Sequence, residues 1–260
     1  MKLQFSKYHG TGNDFIMVDS RKNVMKNRSS RVISNICDRH FGIGADGLII
    51  LDESDTVDFS MIYYNADGHP GSMCGNGGRC ITAFANRSGW IKEHCSFEAA
   101  DGIHKASILP DGNIKLEMRD VTGFSKIKEG YFLDTGSPHL VLFVEDVENL
   151  DVFNLGREKR YSKEFKEGTN VNFVQLDDHE IYVRTYERGV ENETLSCGTG
   201  VVASAIAASL QTARYGREIN VKTKGGKLHV IFEPGTVAHG FRNIYLTGPA
   251  TNVFDGTINL

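Results

Sequence analysis

Short runs of β-branched and aromatic residues are the commonest pattern along the chain, and such runs predict strands. The predicted strands lie at 48–51, 59–64, 114–118, 130–134, 140–144, 181–186 and 228–232. Two Ala-rich stretches, 79–86 and 201–210, predict helices instead. Each predicted helix follows a strand and a Gly-rich turn that contains a cysteine. The same three elements therefore occur twice in the same order.

Landmarks in the two parts of the chain are separated by a nearly constant offset. Tyr64 and Tyr186 lie 122 residues apart, Cys74 and Cys197 lie 123 apart, and the TGN at 11–13 and the TGS at 135–137 lie 124 apart. An internal repeat of this length indicates two similar halves. We place their boundary near 119–123, just before the predicted strand at 130–134.

The composition is that of an ordinary globular protein. Hydrophobic residues make up 40% of the 260 residues and charged residues make up 24%. A net charge of −4 argues against a nucleic-acid partner, and no apolar run approaches the roughly 20 residues that a membrane span needs. Residues 1–20 lack the basic start and the apolar stretch of a secretion signal. We therefore expect a cytoplasmic protein without a membrane partner.

The five cysteines do not form a pattern typical of disulfides or zinc sites. Their odd number argues against a disulfide framework, and no pair has the C-x-x-C spacing of a zinc knuckle. Cys74 and Cys197 lie in Gly-rich runs, CGNGG at 74–78 and CGTG at 197–200. Cys37, Cys80 and Cys95 lack such surroundings, and we expect them to pack in the core.

The two Cys-Gly runs predict a reactive thiol at the start of each Ala-rich helix. Glycines allow a sharp turn and leave backbone amides uncovered, and amides at a helix start attract anions and lower the pKa of a thiol. One such turn can hold a carboxylate beside a thiolate. Two of them facing each other would place a base and an acid on opposite faces of one carbon, which is what inversion of a stereocentre requires. No lysine lies in a context that singles it out for pyridoxal phosphate, so we expect no cofactor.

GIGADG at 42–47 matches the G-x-G-x-x-G pattern of dinucleotide sites, but its surroundings differ from those of such sites. The dinucleotide pattern follows a strand and opens a helix. Here a helix-like stretch at 30–38 precedes the glycines, and the strand predicted at 48–51 follows them. We therefore interpret this segment as a helix-to-strand turn.

The motifs together resemble the diaminopimelate epimerase family along the whole chain. The matching segments are HGTGNDF at 9–15, DRHFG and onward at 38–47, NADG at 65–68, MCGNGGRC at 73–80, GSPH at 136–139, YERG at 186–189 and SCGTG at 196–200. The two cysteine motifs and the Glu-Arg-Gly run are the most specific of these.

This resemblance implies an α/β fold of two pseudo-symmetric domains, each a β-barrel-like sheet around a central helix, with the active site in the cleft between them. On this chain the N-terminal half would comprise residues 1–119 plus 250–260, and the C-terminal half residues 120–249. The implied reaction interconverts LL- and meso-2,6-diaminoheptanedioate, for lysine and peptidoglycan precursor biosynthesis, without pyridoxal phosphate or metal. The implied assembly is a homodimer.

The resemblance also implies roles for individual residues. Cys74 and Cys197 match the catalytic thiols, with Cys197 as proton acceptor and Cys74 as proton donor in the LL-to-meso direction. His139 and Glu187 match residues that tune the two thiols. The positions that match substrate-binding residues are Asn13, Asn65, Gly75, Asn76, Asn170, Glu187, Arg188, Gly198 and Thr199.

The chemistry of the distal residues suits a second amino-acid group on the substrate. Arg188 can hold a carboxylate with two N–H groups, and asparagine side chains both donate and accept. The alternative interpretations are an ion pair of Arg188 with Glu187 or Glu191, a turn role for Asn13 and a capped turn at His139.

Three other functions remain open at this point. One is a proline or hydroxyproline racemase on the same scaffold, which would not need Arg188 for a distal group. The others are a thiol redox protein and a binding protein for amino acids without catalysis. The chain also departs from the family pattern in places. Gly47 stands where some members carry Gln, Ser137 where some carry Asn, and Phe254 where Tyr often forms a dimer contact, while loop 189–196 is one residue longer than in some members.

Overall fold

The chain forms two compact units in a computed structural model that describes residues 2–22, 29–235 and 240–260. The first unit comprises Met1–Leu116 together with Gly248–Leu260, and the second comprises Glu117–Thr247. The last residues of the chain therefore belong to the same unit as the first ones.

The described part of the first unit contains two helices and seven strands before the chain enters the second unit, and the seventh strand ends two residues beyond the boundary. In chain order they are β1 (Lys2–Gly10), β2 (Asn13–Asp19), α1 (Ser30–Cys37), β3 (Gly47–Asp52), β4 (Phe59–Asn65), α2 (Gly75–Arg87), β5 (His94–Ala99), β6 (Gly102–Ile108) and β7 (Ile114–Met118). The elements of the second unit are β8 (Phe124–Ile127), β9 (Gly130–Asp134), β10 (Pro138–Phe143), α3 (Val152–Arg160), β11 (Asn170–Leu176), β12 (Glu180–Glu187), β13 (Asn192–Thr194), α4 (Gly198–Gln211), β14 (Glu218–Thr223), β15 (Gly226–Pro234) and β16 (Phe241–Gly248). The final strand, β17 (Thr251–Asn259), returns to the first unit.

The two units pair their strands in the same series. In the first unit the order is β17, β1, β2, β3, β4, β5, β6, β7, and successive pairs are antiparallel, antiparallel, parallel, antiparallel, parallel, antiparallel and antiparallel. In the second unit the order β8, β9, β10, β11, β12, β14, β15, β16 gives the same seven relations. The short β13 is an addition on β12. The repeat in the sequence is therefore a repeat of strand order and direction.

The registers align the two units residue by residue. Phe15 pairs with Gly47 and Leu48 with Tyr64 in the first unit. His139 pairs with Asn170 and Val171 with Tyr186 in the second. Because Tyr64 and Tyr186 are corresponding landmarks, Phe15 occupies the place of His139, and Ile49 the place of Asn172.

Each unit encloses one central helix. Helix α2 packs on β1, β2, β3, β6 and β17, and α4 packs on β9, β10, β11, β12, β14 and β15. Residues Val201–Ala208 of α4 are all buried, with no polar face, as expected of a helix covered on all sides. The predicted fold class, a mixed α/β structure with a sheet around a helix in each half, is confirmed.

The predicted strands and helices are confirmed, with one systematic difference. The two Ala-rich helices begin earlier than predicted, at Gly75 and Gly198, so that the Gly-rich turns form their first turns. Space explains the glycines, because an added Cβ would lie 2.9 Å from the Ile49 side chain at Gly77 and 2.4 Å from the Asn172 side chain at Gly200.

The glycines at 42–47 do form a turn between a helix and a strand. Helix α1 ends at Cys37 and β3 begins at Gly47, as the sequence predicts. Gly44 has a φ of +81°, which favours glycine. Among the described residues, no helix is long and apolar enough to cross a membrane.

Candidate active site

Cys74 and Cys197 occupy the same place on corresponding helices. Cys74 is the residue before α2 and Cys197 the residue before α4, with extended φ values of −118° and −113°. In neither case does the side chain cap the helix, and neither first turn contains an acidic residue. The first amides of a helix have no partner within it and carry partial positive charge. Each helix start can therefore bind a carboxylate next to a thiol.

Asn13 connects the first helix start to a charged network. Its side-chain Nδ2 donates to Asp46 Oδ2 at 2.7 Å. Its Oδ1 faces the helix start, where it accepts from Asn76 Nδ2 at 3.2 Å and from the Cys74 thiol at 3.5 Å. The structure thus places Asn13, Cys74 and Asn76 together, and a turn role for Asn13 alone does not account for these contacts.

The network behind Asn13 contains two cations and two carboxylates. Asp14 pairs with Lys7 at 2.7 Å and with Arg39 at 2.7 Å, and Arg39 also reaches Asp46 at 2.8 Å. Burial would raise the pKa of Asp14, but hydrogen bonds from Arg39 and Lys7 outweigh it and lower this pKa to about 2. The ion pair with Arg39 holds the Asp46 carboxylate, which in turn orients the Asn13 amide.

Arg79 lies fully buried one turn into α2. Its guanidinium donates to Gly75 O at 3.2 Å, to Asn76 Oδ1 at 3.0 Å and to Thr11 Oγ1 at 3.3 Å. Because Asn76 Oδ1 accepts from Arg79, its Nδ2 is directed at Asn13. Burial lowers the pKa of Arg79, and its position near Cys74 adds positive charge to that helix start.

A chain of polar side chains leads to Cys197 in the second unit. Thr199 Oγ1 lies 3.5 Å from Cys197 Sγ and 2.9 Å from His139 Nε2. The other ring nitrogen, Nδ1, lies 3.1 Å from Asn172 Nδ2. Burial, followed by the nearby charge of Arg188, lowers the pKa of His139 to about 3, so the ring is neutral at ordinary pH. The structure therefore brings His139 and Thr199 together beside Cys197, and His139 is more than a capped turn.

Arg188 is anchored at the end of β12. Its backbone N–H donates to Asn170 Oδ1 at 2.8 Å, and its Nη1 donates to Glu167 O at 3.3 Å. Asn170 in turn donates to Ser137 Oγ at 2.7 Å and to Pro138 O at 2.9 Å. The carboxylate of Glu191 pairs with Arg160 at 3.0 Å, which does not support the alternative pair of Glu191 with Arg188.

The positions that depart from the family pattern have structural roles of their own. An added Cβ at Gly47 would lie 2.5 Å from the Tyr63 ring, so Tyr63 fills the space that a larger residue would need. Ser137 accepts the bond from Asn170 described above. Phe254 is 47% exposed and packs its edge on Phe5, with ring centroids 5.9 Å apart.

The other three cysteines are buried free thiols, as expected for core residues. Burial raises the pKa of Cys37 to about 12 and that of Cys95 to about 11, and it also raises the pKa of Cys80. These thiols therefore stay protonated and are poor nucleophiles or bases.

The family model described as diaminopimelate epimerase matches residues 5–123 and 131–253. The chain belongs to the diaminopimelate epimerase family. A relative of that name from Flavobacterium psychrophilum is 46% identical over 98% of this chain and 100% of its own length. Another from Chlorobaculum tepidum is 41% identical over 96% of this chain and 99% of its own length.

Solved structures share the fold at low sequence identity. A phenazine biosynthesis protein of the PhzF family from Bacillus anthracis has a TM-score of 0.80 at 13% identity, covering 100% of both chains. A hydroxyproline epimerase from Agrobacterium vitis has a TM-score of 0.74 at 16% identity, covering 100% of this chain and 93% of its own. At these identities the likeness shows the two-domain fold alone.

Sequence reasoning on this epimerase-family chain missed several residues that support the cysteines. Arg79, Asp46 and Asn172 each touch a predicted site residue, yet none was singled out. Arg79 lies in the MCGNGGRC motif at 73–80, five residues after Cys74, but the motif does not indicate which side chains Arg79 contacts. Asn172 had none, because its contact with His139 depends on the pairing of β10 with β11.

Proposed function

We propose that this chain is a diaminopimelate epimerase, an isomerase that interconverts LL- and meso-2,6-diaminoheptanedioate in lysine and peptidoglycan precursor biosynthesis. The observation that carries the proposal is the matched placement of two cysteines. Each lies at the open start of a central helix, and the two helices correspond in the internal repeat. A thiol can serve as the acid in one direction and, as a thiolate, as the base in the other. Two cysteines therefore suit a reaction in which the acid and the base exchange roles when the direction is reversed.

In the proposed LL-to-meso direction, the Cys197 thiolate takes the α-hydrogen as a proton. The electron pair of the broken C–H bond remains on the α-carbon and spreads into the carboxylate. The Cys74 thiol then gives its proton to the opposite face of that carbon. Cys197 ends as a thiol and Cys74 as a thiolate, so protons and charge balance. Reversal exchanges their roles.

The helix starts supply the stabilisation that this chemistry needs. An α-proton of an amino acid is only weakly acidic, so the negative charge that develops on the carboxylate must be stabilised in the transition state. The amides of Gly75, Asn76, Gly198 and Thr199 are the proposed donors. No cofactor is part of this proposal, because the helix amides and the two thiols supply each function that the reaction requires.

The distal end of the substrate carries a second carboxylate and ammonium. We assign their recognition to Arg188 and Glu187, with Asn13, Asn65 and Asn170. The anchoring of Arg188 by Asn170 and Glu167 supports this assignment, because a preorganised guanidinium loses little entropy on binding a carboxylate. His139 and Glu187 are the proposed tuning residues for the thiols. The proposed epimerase halves are residues 1–119 plus 250–260 and residues 120–249, and the two compact units described above, whose bounds differ by two or three residues, support them.

The proposal is tested with purified protein and LL-diaminopimelate. Formation of the meso isomer, followed by chiral separation, is the expected result. Cys74→Ala and Cys197→Ala should each lower kcat/KM by about 10² or more, the scale of a positioned acid or base. Cys95→Ala removes a buried core thiol and should retain most of the activity. Wild-type activity in either folded active-site variant would exclude the two-base mechanism, and inversion of proline in place of diaminopimelate would favour the sister enzymes.

The proposed enzyme is a cytoplasmic homodimer. We assign the contact between its two subunits to the exposed side chains of β17. Val253 and Phe254 are 54% and 47% exposed on this strand, and exposed apolar side chains of this kind can form a contact with a second copy. Sedimentation equilibrium should give twice the chain mass of 28.8 kDa. Phe254→Glu should shift the mass toward a single chain. Phe153→Glu alters a residue that is 42% exposed in the other unit and should leave the mass unchanged.

A further inference from the structure

Two buried polar side chains underlie the second central helix at places that the first unit fills with apolar ones. His139 and Asn172 are both fully buried. By strand register their counterparts are Phe15 and Ile49, which are also fully buried. The same packing is therefore achieved without polar atoms. Burying polar groups is costly unless they are hydrogen-bonded, so the fold alone does not account for this pair.

The hydrogen bonds of Asn172 fix the direction of its amide. Its Nδ2 lies 3.1 Å from Leu140 O, and a carbonyl oxygen only accepts. Its Oδ1 accepts from Thr185 Oγ1 at 2.9 Å. The amide is therefore oriented with Nδ2 toward His139 Nδ1, to which it donates the second hydrogen.

The direction of that bond determines the tautomer of His139. Nδ1 accepts from Asn172, so it carries no proton. The ring is buried and faces the positive charge of Arg188, and both keep it neutral. Its single N–H is therefore on Nε2 and is donated to Thr199 Oγ1. When Cys197 is a thiolate its sulfur can only accept, so the hydroxyl hydrogen of Thr199, 3.5 Å away, is the donor to it.

We propose that Asn172 is a positioning residue for Cys197, acting through the His139 tautomer and the Thr199 hydroxyl so that the chain of bonds ends in a donor to the sulfur. A donor at the sulfur stabilises the thiolate, the form that removes the α-proton. The inference rests on the proposed function only in giving Cys197 a catalytic role.

Gly200 allows the polar pair to approach the helix closely, as Gly77 does for Ile49 in the first unit. An added Cβ at Gly200 would lie 2.4 Å from Asn172 Oδ1 and 3.3 Å from His139 Cε1. The helix thus lacks a side chain where the polar pair approaches it. The side-chain hydrogen bonds of Asn172 go to His139, Leu140 and Thr185, so its effect on the thiol passes through His139.

The test measures the thiolate of Cys197 apart from turnover. The purified protein is treated with iodoacetamide across a pH series, and the Cys197 and Cys74 peptides are quantified by mass spectrometry. Asn172→Leu should raise the pH midpoint of Cys197 alkylation by about one unit. At any pH well below both midpoints, the thiolate fraction of the variant should then be roughly tenfold smaller than that of the wild type. Thr199→Val should produce a similar rise. The double variant should show no further rise, because both changes interrupt the same chain.

Two controls separate this proposal from a loss of structure. Ser204→Ala removes a fully buried hydroxyl in the same helix that makes no hydrogen bond in the described structure, and should leave the Cys197 profile unchanged. His139→Phe places the residue of the first unit at this position. It should reproduce the rise even if Asn172→Leu does not fold.

A Cys197 midpoint unchanged in a folded Asn172→Leu, or in His139→Phe if Asn172→Leu does not fold, would overturn the proposal, even if activity were lost. Equal rises at Cys74 and Cys197 would do the same, because they would indicate a general disturbance. If the wild-type protein inverted no diaminopimelate, the proposed function would fail, while the alkylation comparison would still decide the role of Asn172.

Discussion

Arg188 is held at both its backbone and its side chain before any substrate arrives. We predict that Arg188→Ala lowers kcat/KM for diaminopimelate by at least about 30-fold, because a guanidinium that binds a buried carboxylate contributes roughly 2 kcal/mol or more. Arg188→Lys keeps the charge but loses the paired N–H groups, so it should also be poorly tolerated.

The control for Arg188 is an arginine of the same unit with an exposed partner. Arg214 forms an ion pair with Asp178 on the surface, and Arg214→Ala should change kcat/KM by less than about threefold. If Arg188→Ala behaved like this control, Arg188 would not hold the substrate, and the preference for diaminopimelate over a simpler amino acid would lose its main support.

Asp14 should make the stability of the protein depend on acid. Its pKa is about 2 in the folded state and 3.8 ordinarily. A carboxylate with a lowered pKa stabilises the fold above its ordinary value, and this contribution is lost as the pH falls through its folded value. The free energy of unfolding of wild type should exceed that of Asp14→Asn by on the order of 2 kcal/mol at pH 6.

Urea unfolding at several pH values checks this prediction. The difference between wild type and Asp14→Asn should be constant above about pH 5 and shrink between about pH 4 and pH 2. Asp55→Asn alters an exposed carboxylate of the same unit and should cost less stability at pH 6 than Asp14→Asn. A constant difference for Asp14→Asn across the acid range would show that the ion pairs with Lys7 and Arg39 do not set its pKa.

Residues with local chemical signals could be predicted from the sequence. Cys74 and Cys197 stand out because glycines follow them, whereas His139 was identified only through the resemblance to the family. Arg79 and Asn172 act through contacts that depend on helix packing and strand register. No local pattern specifies such contacts, so these residues emerged only from the structure.

At the scale of elements, the first turns of α2 and α4 respond differently to a methyl group. A Cβ added at Gly77 would lie 2.9 Å from the terminal methyl of Ile49 and 3.1 Å from that of Met61, and the ends of such side chains can shift. Gly200 faces Asn172, which three hydrogen bonds hold in place. We predict that Gly200→Ala costs about 1–3 kcal/mol of stability and that Gly77→Ala costs less than about 1 kcal/mol. Urea unfolding of both variants measures the difference, and equal costs would contradict it.

Seven of the 17 strands in the described residues, and three of the four helices, were predicted by range, because their patterns are local. Alternating or continuous apolar runs identified strands such as β4 and β12, and the Ala-rich stretches identified α2 and α4. The Ala-rich stretches alone place the starts of both helices too late, because glycine is a poor helix former in general, whereas the Cys-Gly runs mark these starts correctly. Helix α3 was missed. It is short and buries only Val152 and Gly156, so it has little apolar periodicity.

At the scale of the whole molecule, the constant offset predicted a repeat but not its form. The offset indicated that the halves are alike, whereas the series of parallel and antiparallel pairs required the structure. Each unit uses the same seven strand relations, although His139 and Asn172 replace Phe15 and Ile49 beneath the second helix. Similar backbones thus present two cysteines with different surroundings.

Unequal surroundings suit a reaction in which two thiols have different tasks in each direction, and isotope labelling tests this division. In D₂O the Cys74 thiol exchanges its hydrogen for deuterium before substrate binds. In early LL-to-meso turnover, Cys197 removes protium and Cys74 delivers deuterium. The meso product should therefore gain one deuterium at the inverted carbon, while recovered LL substrate remains unlabelled. The second α-carbon of the same molecule is a built-in control and should carry no label.

Two results would contradict separate roles for Cys74 and Cys197. Early label in recovered LL substrate equal to that in product would indicate a single exchanging base, and unlabelled product would indicate transfer of the original proton.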